Sequence, residues 1–473
     1  LLLSPMAKNS SAGFYNGAVS SSLRMQNGRL TRTPSATGNP KKWTFSAWIK
    51  RGTLGQSYIF AGSPLAAGYD GLAAIYFDGT DQLHTYYDTS GANPYGAVGP
   101  RLYRDTSSWY HLVWAVDAAN TIHKIWINNE LVSTDTGKYP PNVNYGMNNS
   151  GDEMVIGDGS WDSYGSADFN GYMAEINYLD NQYLEPDAFA ETKNGIWIPL
   201  KDPSLTYGTN GFRLQFDQVG VGTASTSTIG ADTSGNTHHF TSSGIVASDC
   251  ALPDSPENNF ATWNEVDAKG SAATMAEGNL KVTSGGNSYD NIPSTFMMSS
   301  GKWYWEVTGN TYSAAICGVD GIGWGGSVSG TGSNAIGYWT TGPLYYDGGN
   351  VQGGASYATT DVLAVSVDMD SGIAKFYKNN SEQYSVTFGE SGIPDLSAGA
   401  FPIRNGSSTG SYTIANFGQD SSFAGTETAQ GNTDSNGIGD FYYAPPSGFL
   451  ALCTKNLPEP TIGANSDTQA DDH

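Results

Sequence analysis

Two loop-like stretches place aromatic rings among small polar residues. GDGSWDSYGS (157–166) carries Trp161 and Tyr164 beside Asp158, Ser160 and Asp162. GYWTTGPLYYDGG (337–349) carries Tyr338, Trp339, Tyr345 and Tyr346. An aromatic face stacks on the apolar face of a sugar ring or anchors a protein interface. Carboxylates and hydroxyls nearby can take up the ring's hydroxyl groups. Trp161, Tyr164, Asp158, Asp162, Trp339 and Tyr345 are therefore the candidate carbohydrate- or partner-binding residues. For each ring, core packing at a strand end is the competing reading. Such stacking is worth on the order of 1 kcal/mol beyond area burial, so a single site would bind weakly and adhesion would need many copies.

The sequence offers little for catalysis. Gly321–Gly326 (GIGWGG) has the spacing of a dinucleotide turn, but SVSGTGS follows where a helix is needed. Ser408 sits centrally in GSSTG (406–410), but the strand-like SYTIANF follows, and a nucleophile elbow needs a helix behind the serine. None of the six histidines forms a triad pattern, and His111 and His123 read as structural residues on paired strands. Glycoside hydrolysis needs a pair of carboxylates, and a resemblance to jelly-roll glucanases would imply them on one strand as E-x-D-x-x-E or E-x-D-x-E. Neither pattern occurs. Asp152 and Glu153 are adjacent and so face opposite sides of a strand, and Glu175 stands alone in MAEIN. A non-enzymatic protein is the expectation. No cofactor is called for. Calcium could use Asp158 with Asp162, or Asp78 with Asp81, although turn-forming Asp is the plainer reading.

Positioning these residues falls to strands. WYHLVWAVDAANTIHKIWINN (109–129) alternates apolar and polar residues with period two, turns at Asp117–Asn120, and turns again at Asn128-Asn129. DMDSGIAKFYKNN (368–380) repeats the design. Eleven positions separate Asp117 from Asn128 and likewise Asp368 from Asn379, with Ile122, Lys124 and Trp126 answering Ile373, Lys375 and Tyr377. Two related sandwich cores are expected, with Trp114 and Trp126 at the first and Trp303, Trp305, Leu363 and Phe376 at the second. The 473 residues include 60 Gly, 12% aromatic and only 14% charged residues, as many short strands joined by turns would give. Glu185–Glu191 is the best helical candidate.

Net charge is −23, which repels phosphate backbones and anionic membrane surfaces, so nucleic acid is not an expected partner. No run of 18 apolar residues suggests membrane insertion. Cys250, Cys317 and Cys453 are three and far apart, so no disulfide framework or metal spacing is present, and Cys317 in AAICGV reads as a buried thiol.

WTFSAWIKRG, SSWYHLVWAVD…IWINNELV, DEMVIGDG and FNGYMAEINYLDNQYLEPDAF together resemble the laminin-G-like, concanavalin A-like jelly roll. KWYWEV, GVDGIGW, DVLAVSVDMDSG…FYKN and the late FP…NFG resemble a SPRY domain. These resemblances imply an all-β chain of two antiparallel β-sandwich (jelly-roll) domains: 1–200, a Gly/Ser/Thr-rich bridge at 201–262, the SPRY-like unit at 263–455, and a polar linker at 456–473. The tandem order, with SLRMQNGRLTRTPSATGNPKKWTFSAWIKRG, IGADTSGNTHHFT and PPSGFLALCTKNLPEPTI, resembles virion structural proteins of tailed, marine-type bacteriophages. That resemblance implies a fibre, tail or capsid-surface component of the virion serving host attachment, and the front of a longer product. Its partners would be other virion proteins, further copies of the chain (a trimer) and a host-surface glycan. A capsid decoration protein and a glycan-cleaving depolymerase are the alternatives.

Overall fold

The computed structural model describes residues 14–63, 71–88, 96, 98–133, 142–159, 167–269, 273–286, 289–310, 314–319, 332–406 and 408–458. Four antiparallel sheets form two sandwiches in tandem. In the first sandwich, one sheet runs Leu23–Met25, Gly171–Asp180, Lys42–Arg51, Tyr110–Asp117, Ile122–Ile127, Glu130–Ser133 in pairing order. Its partner runs Thr241–Ser243, Arg29–Arg32, Glu153–Ile156, Ser57–Ser63, Leu72–Phe77, Gln82–Asp88, Val98–Leu102. Trp43, Phe45, Phe60, Trp114 and Tyr178 fill the space between them. In the second sandwich, Thr274–Ala276, Lys281–Thr283, Tyr412–Asn416, Lys302–Asn310, Leu363–Asp368, Ile373–Lys378 and Ser381–Thr387 face Asp290–Pro293, Ala400–Gly406, Ala314–Gly318, Ala335–Tyr338, Leu344–Tyr346 and Gly349–Val351. The stretch read as a bridge gives a strand to each sheet of the first sandwich. Phe212–Leu214 pairs with Gly171–Asp180, and Thr241–Ser243 pairs with Arg29–Arg32.

The internal repeat is structural. In both sandwiches a strand opening Lys-Trp lies between a late strand and the first arm of the hairpin. Lys42 pairs with Asp117 and Trp43 with Val116; Lys302 pairs with Asp368 and Trp303 with Val367. Both lysines also reach the paired aspartate, at 3.2 and 3.0 Å. The Asn-Asn turns match as well. Asn128 and Asn129 have φ of 50° and 66°, and Asn379 and Asn380 have 47° and 64°. Asn tolerates this left-handed region, which a two-residue primed hairpin turn requires. In each case the first Asn side chain accepts from a backbone N–H across the hairpin: His111 at 2.7 Å and Val362 at 3.0 Å.

Trp303, Trp305, Leu363 and Phe376 lie in the second core, and Trp114 lies in the first. Trp126 does not. It pairs with Val113 and packs on the outer face with Val113, Ala115, Leu179 and Phe189. That face is covered by the chain after residue 180, where Glu185–Glu191 forms only a single 3-10 turn, Pro186–Ala188, before the small hairpin Ala190–Lys193/Ile196–Pro199.

The two sandwiches meet through buried charge. Arg24 is fully buried and donates to Asp420 (2.8 Å) and, from two nitrogens, to Asp249 (3.0 and 3.1 Å); Glu277 lies 3.4 Å away. Burial opposes the guanidinium's charge, but the carboxylates of Asp420 and Asp249 outweigh it and hold the charge firmly. Lys50 spends its three protons on Asp254 (2.9 Å), Asn259 (2.7 Å) and the Phe260 carbonyl (2.9 Å). Asn279 donates to the Gly52 carbonyl (2.9 Å), and Gln26 accepts from the Glu277 N–H (2.9 Å). Gly278 has φ +59° and lies so close to Tyr172 that a Cβ would stand 2.4 Å from its ring. The junction is close-packed and cross-linked by hydrogen bonds running both ways.

Candidate binding face

The outer face of the second sandwich's six-stranded sheet carries one continuous cross-strand row: Asn350, Tyr345, Gly337, Ala315, Ile403, Pro293. Period two puts Cys317 and Ala335 on the same face. Ala315, Cys317, Ala335 and Ile403 are buried, and the ring of Tyr345 packs against them. The floor beside Tyr345 is thus made of small, buried side chains. Trp339, two residues past Gly337, stands 6.3 Å from Tyr345 with the rings perpendicular. Its turn is closed by Trp339 N–H to the Pro343 carbonyl and Gly342 N–H back to the Trp339 carbonyl, both 2.9 Å. Tyr289 completes the corner, 6.4 Å from Trp339. All three rings are partly exposed. Asn350 is exposed on this face, while Asn291 and Asn405 are buried and their side chains bond to one another.

Behind the face, Arg404 holds the strands together. It is fully buried and bonds to Asp290, Ser284 (2.7 Å) and the Ser411 carbonyl (3.2 Å). Burial lowers its pKa to about 10, still far above neutrality.

Trp339 and Tyr345, singled out in the sequence, are therefore brought together. Tyr289 was not, because strand pairing across the sheet delivers it from a distant segment. Trp161, Asp162 and Tyr164 lie outside the described residues. Asp158 does not offer an open carboxylate at a loop tip. It is buried, and Arg29 holds it at 2.8 Å. Asp168 sits beside it. Burial and the hydrogen bond with Asp158 push the Asp168 carboxyl up to about 6. A folded-state value above the unfolded one means the native state keeps its proton longer. This group's contribution to stability is complete below about pH 4 and falls as pH rises through 6. Asp168→Asn should thus raise stability at pH 7 and flatten the profile between pH 4 and 6, checked by urea denaturation across that range.

The other candidate groups are structural. His111 is sandwiched between Ser46 Oγ (2.9 Å) and Trp197 Nε1 (3.0 Å), and His123 accepts from Trp114 Nε1 (2.8 Å). Burial lowers both to about 3, so they stay neutral. Glu175 pairs with Arg213 at 2.6 Å. Asp78 caps its own turn through the N–H groups of Thr80 and Gln82, while Asp81 is held by Arg51 and Arg104. Neither is arranged as a calcium ligand. Among the described residues no group of three or more His, Cys, Asp or Glu side chains is placed to hold a metal ion. Ser408 lies in a turn without a helix, and all three cysteines are buried and free. Gly321–Gly326 lies outside the described residues.

The chain is all-β, and its first sandwich has the jelly-roll, concanavalin A-like fold. The Laminin_G_3 family, described as the concanavalin A-like lectin/glucanases superfamily, matches residues 26–186. Among solved structures, the chain is similar to the SPRY domain of human HERC1, at 16% identity over 32% of this chain and 96% of that one (TM-score 0.28). It is similar to a heptameric SAP-like pentraxin from Limulus polyphemus, at 14% over 36% and 80% (TM-score 0.28). It is also similar to the CBM40 of a Ruminococcus gnavus IT-sialidase bound to α2,3-sialyllactose, at 14% over 35% and 92% (TM-score 0.29). No curated protein matches the chain.

Proposed function

We propose that this chain is a non-enzymatic recognition protein that binds a saccharide at the aromatic corner of its second sandwich. The observation that carries this reading is the set Tyr289, Trp339 and Tyr345, three partly exposed rings brought together at one corner of the sheet. The partly exposed rings supply stacking faces. Exposed Asn350 offers a neutral donor and acceptor suited to hydroxyls. Amides neither accept nor release protons near neutrality, so this face holds a ligand without general acid–base chemistry.

The test is calorimetric titration of the purified chain against a panel of neutral oligosaccharides. Trp339→Ala and Tyr345→Ala should each weaken binding about tenfold, close to 1.4 kcal/mol, with unchanged circular dichroism. A folded chain that binds no member of the panel would remove this reading. We further place the chain in a phage particle surface, as a homo-oligomer that multiplies weak sites. Particle imaging that shows no density for it, or a mass measurement giving a monomer at high concentration, would count against that placement. Release of reducing ends from polysaccharide, abolished by one carboxylate change, would instead make it a depolymerase.

A further inference from the structure

A second polar cleft lies on the first sandwich, at the edge where Thr241–Ser243 pairs with Arg29–Arg32. It has a volume of about 360 Å³ and is lined by Arg32, His238, His239, Thr31, Thr237 and Thr241 among others. In a chain of net charge −23, a cleft lined by a guanidinium and two imidazoles stands out.

The state of each group follows from its neighbours. Arg32 is partly buried and donates to the Asn210 carbonyl (3.3 Å) and the Met154 sulfur (3.7 Å), neither of them anionic. The carboxylate that acts on it, Asp232, is already committed. Its two oxygens accept from the N–H groups of Arg213 (2.9 Å), Ser234 (2.8 Å) and His238 (2.7 Å) and from the Ser234 hydroxyl (2.9 Å). Four donors match the four lone-pair sites of a carboxylate, so little of Asp232 remains for Arg32. Desolvation accordingly lowers the Arg32 pKa, although the group stays charged. His239 Nδ1 accepts the Asp232 N–H at 2.9 Å, which assigns the ring proton to Nε2 and makes that atom a donor. His238 Nδ1 lies 3.1 Å from the Gly211 carbonyl and donates to it, leaving its Nε2 as an acceptor in the neutral ring. Burial and the neighbouring Arg32 charge favour that neutral form.

We infer that this cleft binds an oxyanion group, a carboxylate or sulfate, with Arg32 and His239 as its donors. A half-desolvated guanidinium without a matched anion gains most from such a ligand, because a charge-assisted bond replaces lost hydration. The threonine hydroxyls and His238 Nε2 suit a ligand that also carries hydroxyls, as an acidic sugar does. This site is separate from the aromatic corner and does not depend on it. The chain's overall negative field opposes anions, so affinity in the millimolar range is expected.

The test follows the histidine Cε1–H resonances of the full chain during titration with D-glucuronate, D-glucose and inorganic sulfate. Glucuronate should shift the His238 and His239 signals saturably, while glucose at equal concentration leaves them in place. Sulfate weaker than glucuronate by fivefold or more assigns the site to an acidic sugar; comparable strength assigns it to the free oxyanion. Arg32→Gln should weaken glucuronate at least tenfold. Thr241→Glu, at an exposed rim position, keeps Arg32 but sets a carboxylate against it, and should cause the same loss if Arg32→Gln fails to fold. Equal responses to glucose and glucuronate, or no response to either anion, would overturn the inference.

Discussion

Arg24→Ala is expected to cost about 3–5 kcal/mol of stability, because it strands the buried carboxylates of Asp249 and Asp420 without a counter-charge. Arg24→Lys should recover only part of this, since one ammonium cannot reproduce donation from three guanidinium nitrogens to two separated carboxylates and the Ser248 carbonyl. Because Asp249 is on the first sandwich's bridge and Asp420 follows the last strand of the second, the variant should also uncouple their unfolding. Guanidinium denaturation followed by tryptophan fluorescence would then show two transitions in place of one. A loss below 1 kcal/mol with a single transition would refute the central role given to Arg24.

The second large effect is expected at Glu306. This fully buried carboxylate accepts from the Tyr304 hydroxyl (3.1 Å), Asn416 Nδ2 (3.1 Å) and the backbone N–H groups of Tyr442 (2.8 Å) and Tyr443 (2.7 Å). It ties the returning C-terminal segment to the Lys-Trp strand. Glu306→Ala leaves two backbone N–H groups without acceptors, at about 1–3 kcal/mol each, so a loss of roughly 2–6 kcal/mol is expected. Hydrogen exchange should show the amides of Tyr442 and Tyr443 losing protection first. Burial raises the Glu306 pKa to about 7, against the pull of its four donors. Its contribution is therefore complete below about pH 4.5 and declines as pH rises through 7. Glu306→Gln, which cannot titrate, should remove that slope from the stability profile.

The hairpins were legible because their signals are local. Period-two alternation and Asn-Asn turns lie within about twenty residues, and their repetition at matched spacing predicted two equivalent sheets. Which face of a strand meets the core is another matter. Lys42–Arg51 and Tyr110–Asp117 are buried almost throughout, on both faces. Alternation separates two faces without saying which one faces the partner sheet, and Trp126 was assigned to the wrong side for that reason. Asp158 illustrates the same limit in a turn, since sequence does not show whether its carboxylate meets solvent or Arg29. The aromatic corner was half visible. Trp339 and Tyr345 share one segment, whereas Tyr289 arrives through the pairing of Asp290–Pro293 with Ala400–Gly406. The Arg24 cluster had no local signal at all, because its partners lie 225 and 396 positions away.

That last separation sets an order of events during synthesis. Arg24 leaves the ribosome first of the three, Asp249 follows 225 residues later, and Asp420 follows after about 170 more. At roughly 5–20 residues per second, on the order of ten to thirty seconds pass between the two carboxylates. During that interval the first sandwich holds all its strands, since Thr241–Ser243 has already emerged, yet Arg24 still lacks Asp420. Translation of the second sandwich's closing loop is thus the step that completes the first.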